Sequence, residues 1–135
     1  MKHFVFLVHG TWGRGESAWY HTTSTSTSFA SKLRVALGKR GIESESVIFF
    51  PFEWKGGNTH IDRLEGAASL ASKLIELRRQ YVNVADIKIH FVAHSHGGNV
   101  VLKALEIYLN DLAWIDVPKW IDTRDIVISS KTVNQ

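Results

Sequence analysis

Four short β-type runs, Phe4–Val8, Ser46–Phe52, Ile87–Val92 and Asp125–Ser129, alternate along the chain with three segments of helical periodicity. Strands separated by helices cannot pair as hairpins, so this alternation demands a parallel sheet with right-handed crossovers and helices on both faces. The fold class is therefore α/β, a doubly wound parallel sheet of about four strands in a single domain spanning residues 1–135. Between the first two strands Phe29, Leu33, Ala36 and Leu37 recur at helical spacing, and Gly41 follows as a stop. The next helix carries Ile61, Leu64, Ala68, Ala71, Leu74 and Ile75 as its apolar stripe. Thr59-His60-Ile61-Asp62 opens it as a capping box, in which the threonine oxygen and the aspartate satisfy free backbone N–H groups. The third helix presents Val101, Ala104, Leu105, Tyr108 and Leu109.

The composition excludes several classes. Hydrophobic content of 44% and charged content of 21% are those of a globular chain, and no apolar run approaches the roughly 20 residues that span a bilayer. The apolar run near the start, Phe4 to Val8, runs into His9-Gly10 rather than a small-residue cleavage site, so it reads as a first strand and the protein as cytoplasmic. With no cysteine, disulfides, thiolate metal sites and a cysteine nucleophile are all excluded. The net charge of +3 is scattered apart from Lys32, Arg34, Lys39 and Arg40, a cluster that reads as a solvated helix face. No nucleic-acid partner is implied. Thr22 to Ser28 is an unbroken run of hydroxyl residues, which favours a loop whose last serine caps the following helix.

The chemistry gathers at Phe91-Val92-Ala93-His94-Ser95-His96-Gly97-Gly98-Asn99-Val100. Small-x-Ser-x-Gly is a weak pattern alone, but here it follows an apolar strand and opens a helix, the setting of a nucleophile elbow. In such a corner the serine is strained so that its Oγ stands clear of the sheet, and its neighbours Ala93 and Gly97 are small enough to allow it. Gly98 is expected to let the new helix approach an adjacent strand. The helix N-terminus at His96 turns backbone donors and a partial positive charge toward any oxyanion. The second element is His9-Gly10-Thr11-Trp12-Gly13, at the end of the first strand. In a doubly wound sheet, ligands bind at the carboxyl ends of strands where the strand order reverses. A strand order of second, first, third, fourth brings Thr11 beside Ser95, with the backbone N–H groups of Thr11 and His96 converging on one oxygen.

VHGTWG, FEWKGGNTHIDR and VAHSHGGNV together make the chain resemble the α/β-hydrolase family, in particular its bacterial lipase and esterase-like members, from its start to about Leu109. The resemblance implies Ser95 as nucleophile, Thr11 and His96 as backbone oxyanion donors, and hydrolysis of a small-molecule ester or lipid through an acyl-enzyme, with no cofactor. Ala93 stands where glycine is commoner in the family. A larger departure is the triad: the family places its acid and then its histidine after the serine, yet the seven histidines here are at 3, 9, 21, 60, 90, 94 and 96. Of the acids after Ser95, Glu106 and Asp111 fall on or just after the third helix, Asp116 and Asp122 in the connection, and Asp125 at the start of the fourth strand, the wrong end for a catalytic loop. The expectation is the N-terminal half of a hydrolase domain, incomplete at its C-terminal end, with an open edge at the fourth strand that invites self-association or a complementing chain.

Other readings compete at particular residues. His94 and His96 form an H-x-H that could ligate a metal, but beside a serine in a glycine-rich corner they read as elbow neighbours, and no metal is expected. His9 reads as a brace for its loop. His21 or His60 could stand in as the base from a nearby loop. Trp12 and Trp19 are candidate walls of an acyl pocket, or plain packing residues. Glu53 is either a site acid or a loop carboxylate pairing with Lys55 or Arg63. Gly13-Arg14-Gly15-Glu16-Ser17-Ala18 reads G-x-G-x-x-A, but no helix opens there, so nucleotide binding lacks its context. The alternative to an enzyme is a non-catalytic hydrolase-like remnant that binds a ligand or partner.

Overall fold

The computed structural model describes residues 1–13, 19–20, 28–81, 87–114 and 128–129. Its elements are β1 (Lys2–Val8), α1 (Phe29–Gly38), β2 (Val47–Phe52), α2 (His60–Gln80), β3 (Ile87–Ala93), α3 (Gly97–Trp114) and β4 (Ile128–Ser129). The sheet order is β2-β1-β3-β4 with every pairing parallel, as the alternation of strands and helices requires. Of the expected fourth strand, the part from Asp125 to 127 lies outside the described residues. No helix among the described residues is long and apolar enough to cross a membrane.

The central strand β1 is buried from Phe4 through Val8 because helices cover both of its faces. Phe4, Phe6 and Val8 point to one side, where Phe52, Phe91, α2 and α3 close over them. Val5 and Leu7 point to the other, against Ala30 of α1, Tyr20 and Val47. Burying each of these large side chains contributes roughly 1.5–3 kcal/mol. Ser28 caps α1, its Oγ accepting from the Ser31 amide at 3.2 Å. Thr59 caps α2 by accepting from Asp62 N–H at 3.1 Å, as expected, while the Asp62 carboxylate turns to Lys55 at 3.2 Å. Lys55 is thus the partner of Asp62, and the bond described for Glu53 is from Tyr20 Oη at 3.2 Å.

The buried face of α2 differs from the expected stripe. Gly66, Ala67, Leu70, Ala71, Leu74 and Leu77 face the core, whereas Ile61 is 67% and Leu64 40% exposed. Trp54 explains the rotation: a Cβ on Gly66 would meet Trp54 Cβ at 3.1 Å, so the helix seats its smallest residue on the indole. In α3 Val101, Ala104, Leu105 and Tyr108 are buried as expected, Val100 joins them, and Leu109 stays 39% exposed.

Candidate active site

The carboxyl ends of β1 and β3 meet at two turns. β3 ends at Ala93, the His94 amide donates to Val8 O at 3.0 Å, and the chain then reverses into α3. Ser95 sits at that reversal with φ 53°, in the left-handed region that an L-residue enters only under strain, and its side chain is exposed. Gly97 and Gly98 N–H donate to His94 O (2.9 Å) and Ser95 O (3.0 Å), which holds the corner closed.

The close approach falls to Gly97 rather than Gly98. A Cβ at Gly97 would stand 2.5 Å from His9 O and 2.7 Å from Val8 O, whereas one at Gly98 would meet nothing within 4 Å. Gly98 was expected to face the neighbouring strand, but one residue further along the helix is a turn of about 100°, which carries it away.

The turn after β1 lies against this corner. Gly13 N–H donates to Gly10 O at 3.0 Å, and Trp12 takes φ 57° with its N–H on Gly56 O at 2.8 Å. A Cβ on Gly10 would stand 3.0 Å from Ser95 Cβ. The two glycine-bearing loops therefore touch at the switch point. Among the described residues, the backbone N–H groups of Thr11 and His96 donate to no protein acceptor, and Thr11 Oγ1 is buried without a partner. Free amides flanking an exposed serine at a helix N-terminus can receive a developing negative charge.

His9 is completely buried, ring-stacked on Trp54 at 5.4 Å and tilted against Tyr20 at 4.8 Å. Its Nδ1 lies 2.9 Å from Gly10 O, and its Nε2 faces the Trp54 backbone at 3.1 Å. It braces the loop, as its sequence context suggested. His96 Nδ1 is 3.0 Å from Asn99 Nδ2, so the amide donates and the imidazole accepts. Among the described residues no imidazole or carboxylate is hydrogen-bonded to Ser95 Oγ. His60 is the exposed first residue of α2, Glu106 pairs with Lys103 at 3.1 Å, and His21 lies outside the described residues. Asp116, Asp122 and Asp125 also lie outside them. Trp12 is 80% exposed beside Thr11, while Trp19 packs edge-on against Phe29 on the α1 side of the sheet.

Trp54 and Gly56, to which no sequence motif points as site residues, anchor both sides of the β1 turn. Trp54 Nε1 donates to His9 O at 2.7 Å, and Gly56 at φ 74° offers its carbonyl to Trp12. The Gly56-Gly57 pair, in the connection between β2 and α2, is the available signal for such a loop.

An open parallel α/β sheet with a strained serine at its strand-to-helix corner, facing a glycine turn, defines the class to which this chain is assigned by structure. Residues 1–123 match the family described as "Putative serine esterase (DUF676)", and the chain belongs to that family. No curated protein matches the chain.

Proposed function

We propose that the chain is a serine hydrolase of carboxylic esters, lipase- or esterase-like, that forms an acyl-enzyme on Ser95. Ser95 Oγ adds to the ester carbonyl carbon, and the carbonyl oxygen takes up negative charge between the Thr11 and His96 amides. The carbon–oxygen bond to the alcohol then breaks, the alcohol leaving with a proton, and water releases the acid in a second addition. Trp12 flanks the acyl group, and Trp19 backs it from the α1 side. The observation that carries this reading is the strained, exposed Ser95 where the two turns meet, with the Thr11 and His96 amides donating to no protein acceptor among the described residues.

A second reading, a binding remnant without turnover, is favoured by one specific fact: no base is hydrogen-bonded to Ser95 Oγ among the described residues. An unassisted serine is a weak nucleophile, although an oxyanion hole alone retains roughly 10³-fold over water. Turnover of p-nitrophenyl butyrate by this chain is therefore expected to be feeble. Incubation with a fluorophosphonate followed by peptide mass spectrometry decides the matter. The expected result is one adduct per chain, on Ser95, lost in Ser95→Ala. Labelling that survives Ser95→Ala removes the nucleophile assignment, and saturable ester binding with no adduct selects the remnant.

A further inference from the structure

The Thr11 amide belongs to the Gly10–Thr11 peptide, and that peptide has little reason of its own to hold one orientation. Gly10 must be glycine, because a Cβ there would strike His94 O at 2.7 Å and Ser95 Cβ at 3.0 Å. Glycine at that position leaves the following peptide plane free to rotate at small cost. In a trans peptide the C=O and N–H point in opposite directions, so whatever fixes Gly10 O also aims Thr11 N–H.

Two donors fix Gly10 O. One is Gly13 N–H at 3.0 Å, within the turn itself. The other is His9 Nδ1 at 2.9 Å, from a ring that is wholly buried. A carbonyl oxygen can only accept, so Nδ1 must carry the proton. The Trp54 N–H points at Nε2 at 3.1 Å and requires a lone pair there, which assigns the ring as the Nδ1–H tautomer. Trp54 O, also 3.1 Å from Nε2, is then a neighbour and not an acceptor. Stacking between Trp54 and Tyr20 keeps the ring in plane with these partners.

We infer that His9 is a positioning residue: the backbone amide of Trp54 sets its tautomer, its Nδ1–H clamps Gly10 O, and the clamp aims the Thr11 amide at the oxygen bound beside Ser95. The inference rests on the proposed oxyanion role of Thr11. It makes a backbone group at the end of β2, more than forty positions from Gly10 in sequence, a determinant of reactivity at the β1 turn.

Two substitutions separate this role from simple packing. The amide nitrogen of asparagine falls near the position of imidazole Nδ1, so His9→Asn retains a donor to Gly10 O. Glutamine reaches the Nε2 position, so His9→Gln retains the contact with Trp54 and loses the clamp. Both lose ring stacking and are expected to lower the thermal midpoint by similar amounts. Their rates of Ser95 labelling by a fluorophosphonate, whose phosphoryl oxygen occupies the same anion position, are expected to differ. Losing one oxyanion donor costs about 10²–10³-fold. His9→Gln is therefore expected to slow labelling at least ~10-fold, and His9→Asn to stay within about 3-fold of the parent chain. In the parent chain, ¹⁵N–¹H correlation spectra should place the ring proton on Nδ1. Equal slowing in both variants, or a ring proton found on Nε2, overturns the inference while leaving Ser95 as nucleophile. A parent chain that takes no label at Ser95 removes the hydrolase reading itself, and the positioning role falls with it.

Discussion

Gly10 packs against Ser95 so closely that no β-carbon fits between them: it would lie 3.0 Å from Ser95 Cβ and 2.7 Å from His94 O. Gly10→Ala must therefore push the β1 turn away from the elbow. Overpacking of this kind costs about 1–3 kcal/mol, which a urea titration reads directly. Labelling of Ser95 is expected to slow as well, because the shift separates Thr11 from the serine. An alanine variant with parental stability and parental reactivity would show that the two turns do not bear on one another.

The glycine pair that opens α3 offers an internal comparison. Gly97→Ala places a methyl 2.5 Å from His9 O, against backbone that cannot give, and is expected to destabilise by more than about 2 kcal/mol. Gly98→Ala meets open space in a helix, where alanine is favoured over glycine by up to about 1 kcal/mol, so its thermal midpoint is expected to hold or rise. The reverse ranking in differential scanning calorimetry would refute the packing described for this corner.

Trp12 combines φ 57° with a side chain that is 80% exposed. The left-handed backbone costs an L-residue about 1–2 kcal/mol, and glycine would relieve it at an entropic cost of roughly 0.5–1 kcal/mol. Trp12→Gly is thus expected to leave stability unchanged or slightly raised. If the ring flanks an acyl chain, the same variant should lose the preference for long-chain over short-chain alkyl fluorophosphonates. Retained chain-length preference would free Trp12 of that role.

His3 and His90 carry the expected pH dependence. Their rings stack at 5.3 Å with Nδ1 of His3 3.0 Å from Nε2 of His90, so one must donate and the other accept. Burial, with the Lys88 charge adding to it, holds both below the usual histidine range, and for His90 the His3 ring adds further. A histidine whose folded pKa is depressed binds fewer protons than in the unfolded chain, so its contribution is present above about pH 6.5 and is lost as the pH falls through the folded value. The thermal midpoint should therefore fall between pH 7.5 and pH 5.5, and His3→Gln should flatten that slope. Asp62, held low by Thr59 and then Lys55, loses its contribution only at more acid pH, outside this window. An unchanged slope in His3→Gln would dissociate the pair from the acid response.

Parallel pairing, the strained serine and the N-caps of α1 and α2 are legible in the sequence because each depends on local chemistry: strands joined by helices, a small-x-Ser-x-Gly corner, a hydroxyl before an apolar run. The strand order follows from two glycine-bearing loops that need one switch point. The buried face of α2 was not legible. Ala71 and Leu74 are buried as the stripe requires, but Ile61 and Leu64 are as apolar as Leu70 and Leu77, and the choice between them was made by Trp54, a contact from another strand end. The Gly97-Gly98 doublet was ambiguous for a similar reason, since only the phase of the helix against β1 tells which glycine meets the carbonyls. Ser95, Thr11 and His96 are proposed from pattern, and the Gly56-Gly57 pair marks the loop that meets Trp12, whereas Trp54 and Asn99 hold their partners through bonds that no local motif announces.

The sandwich of Tyr20, His9 and Trp54 also bears on the order of events during folding. Its three rings come from three separate stretches of chain, and His9 and Trp54 are bonded across forty-five positions. Contacts of such range form only after the intervening loop entropy has been overcome, so they belong to the slow, non-local part of assembly. The β1 turn cannot acquire its shape on a nascent or isolated segment. Chemical competence at Ser95 should accordingly emerge in a single step with the closing of β2 onto β1, and refolding followed by labelling should lag far-ultraviolet dichroism of the helices.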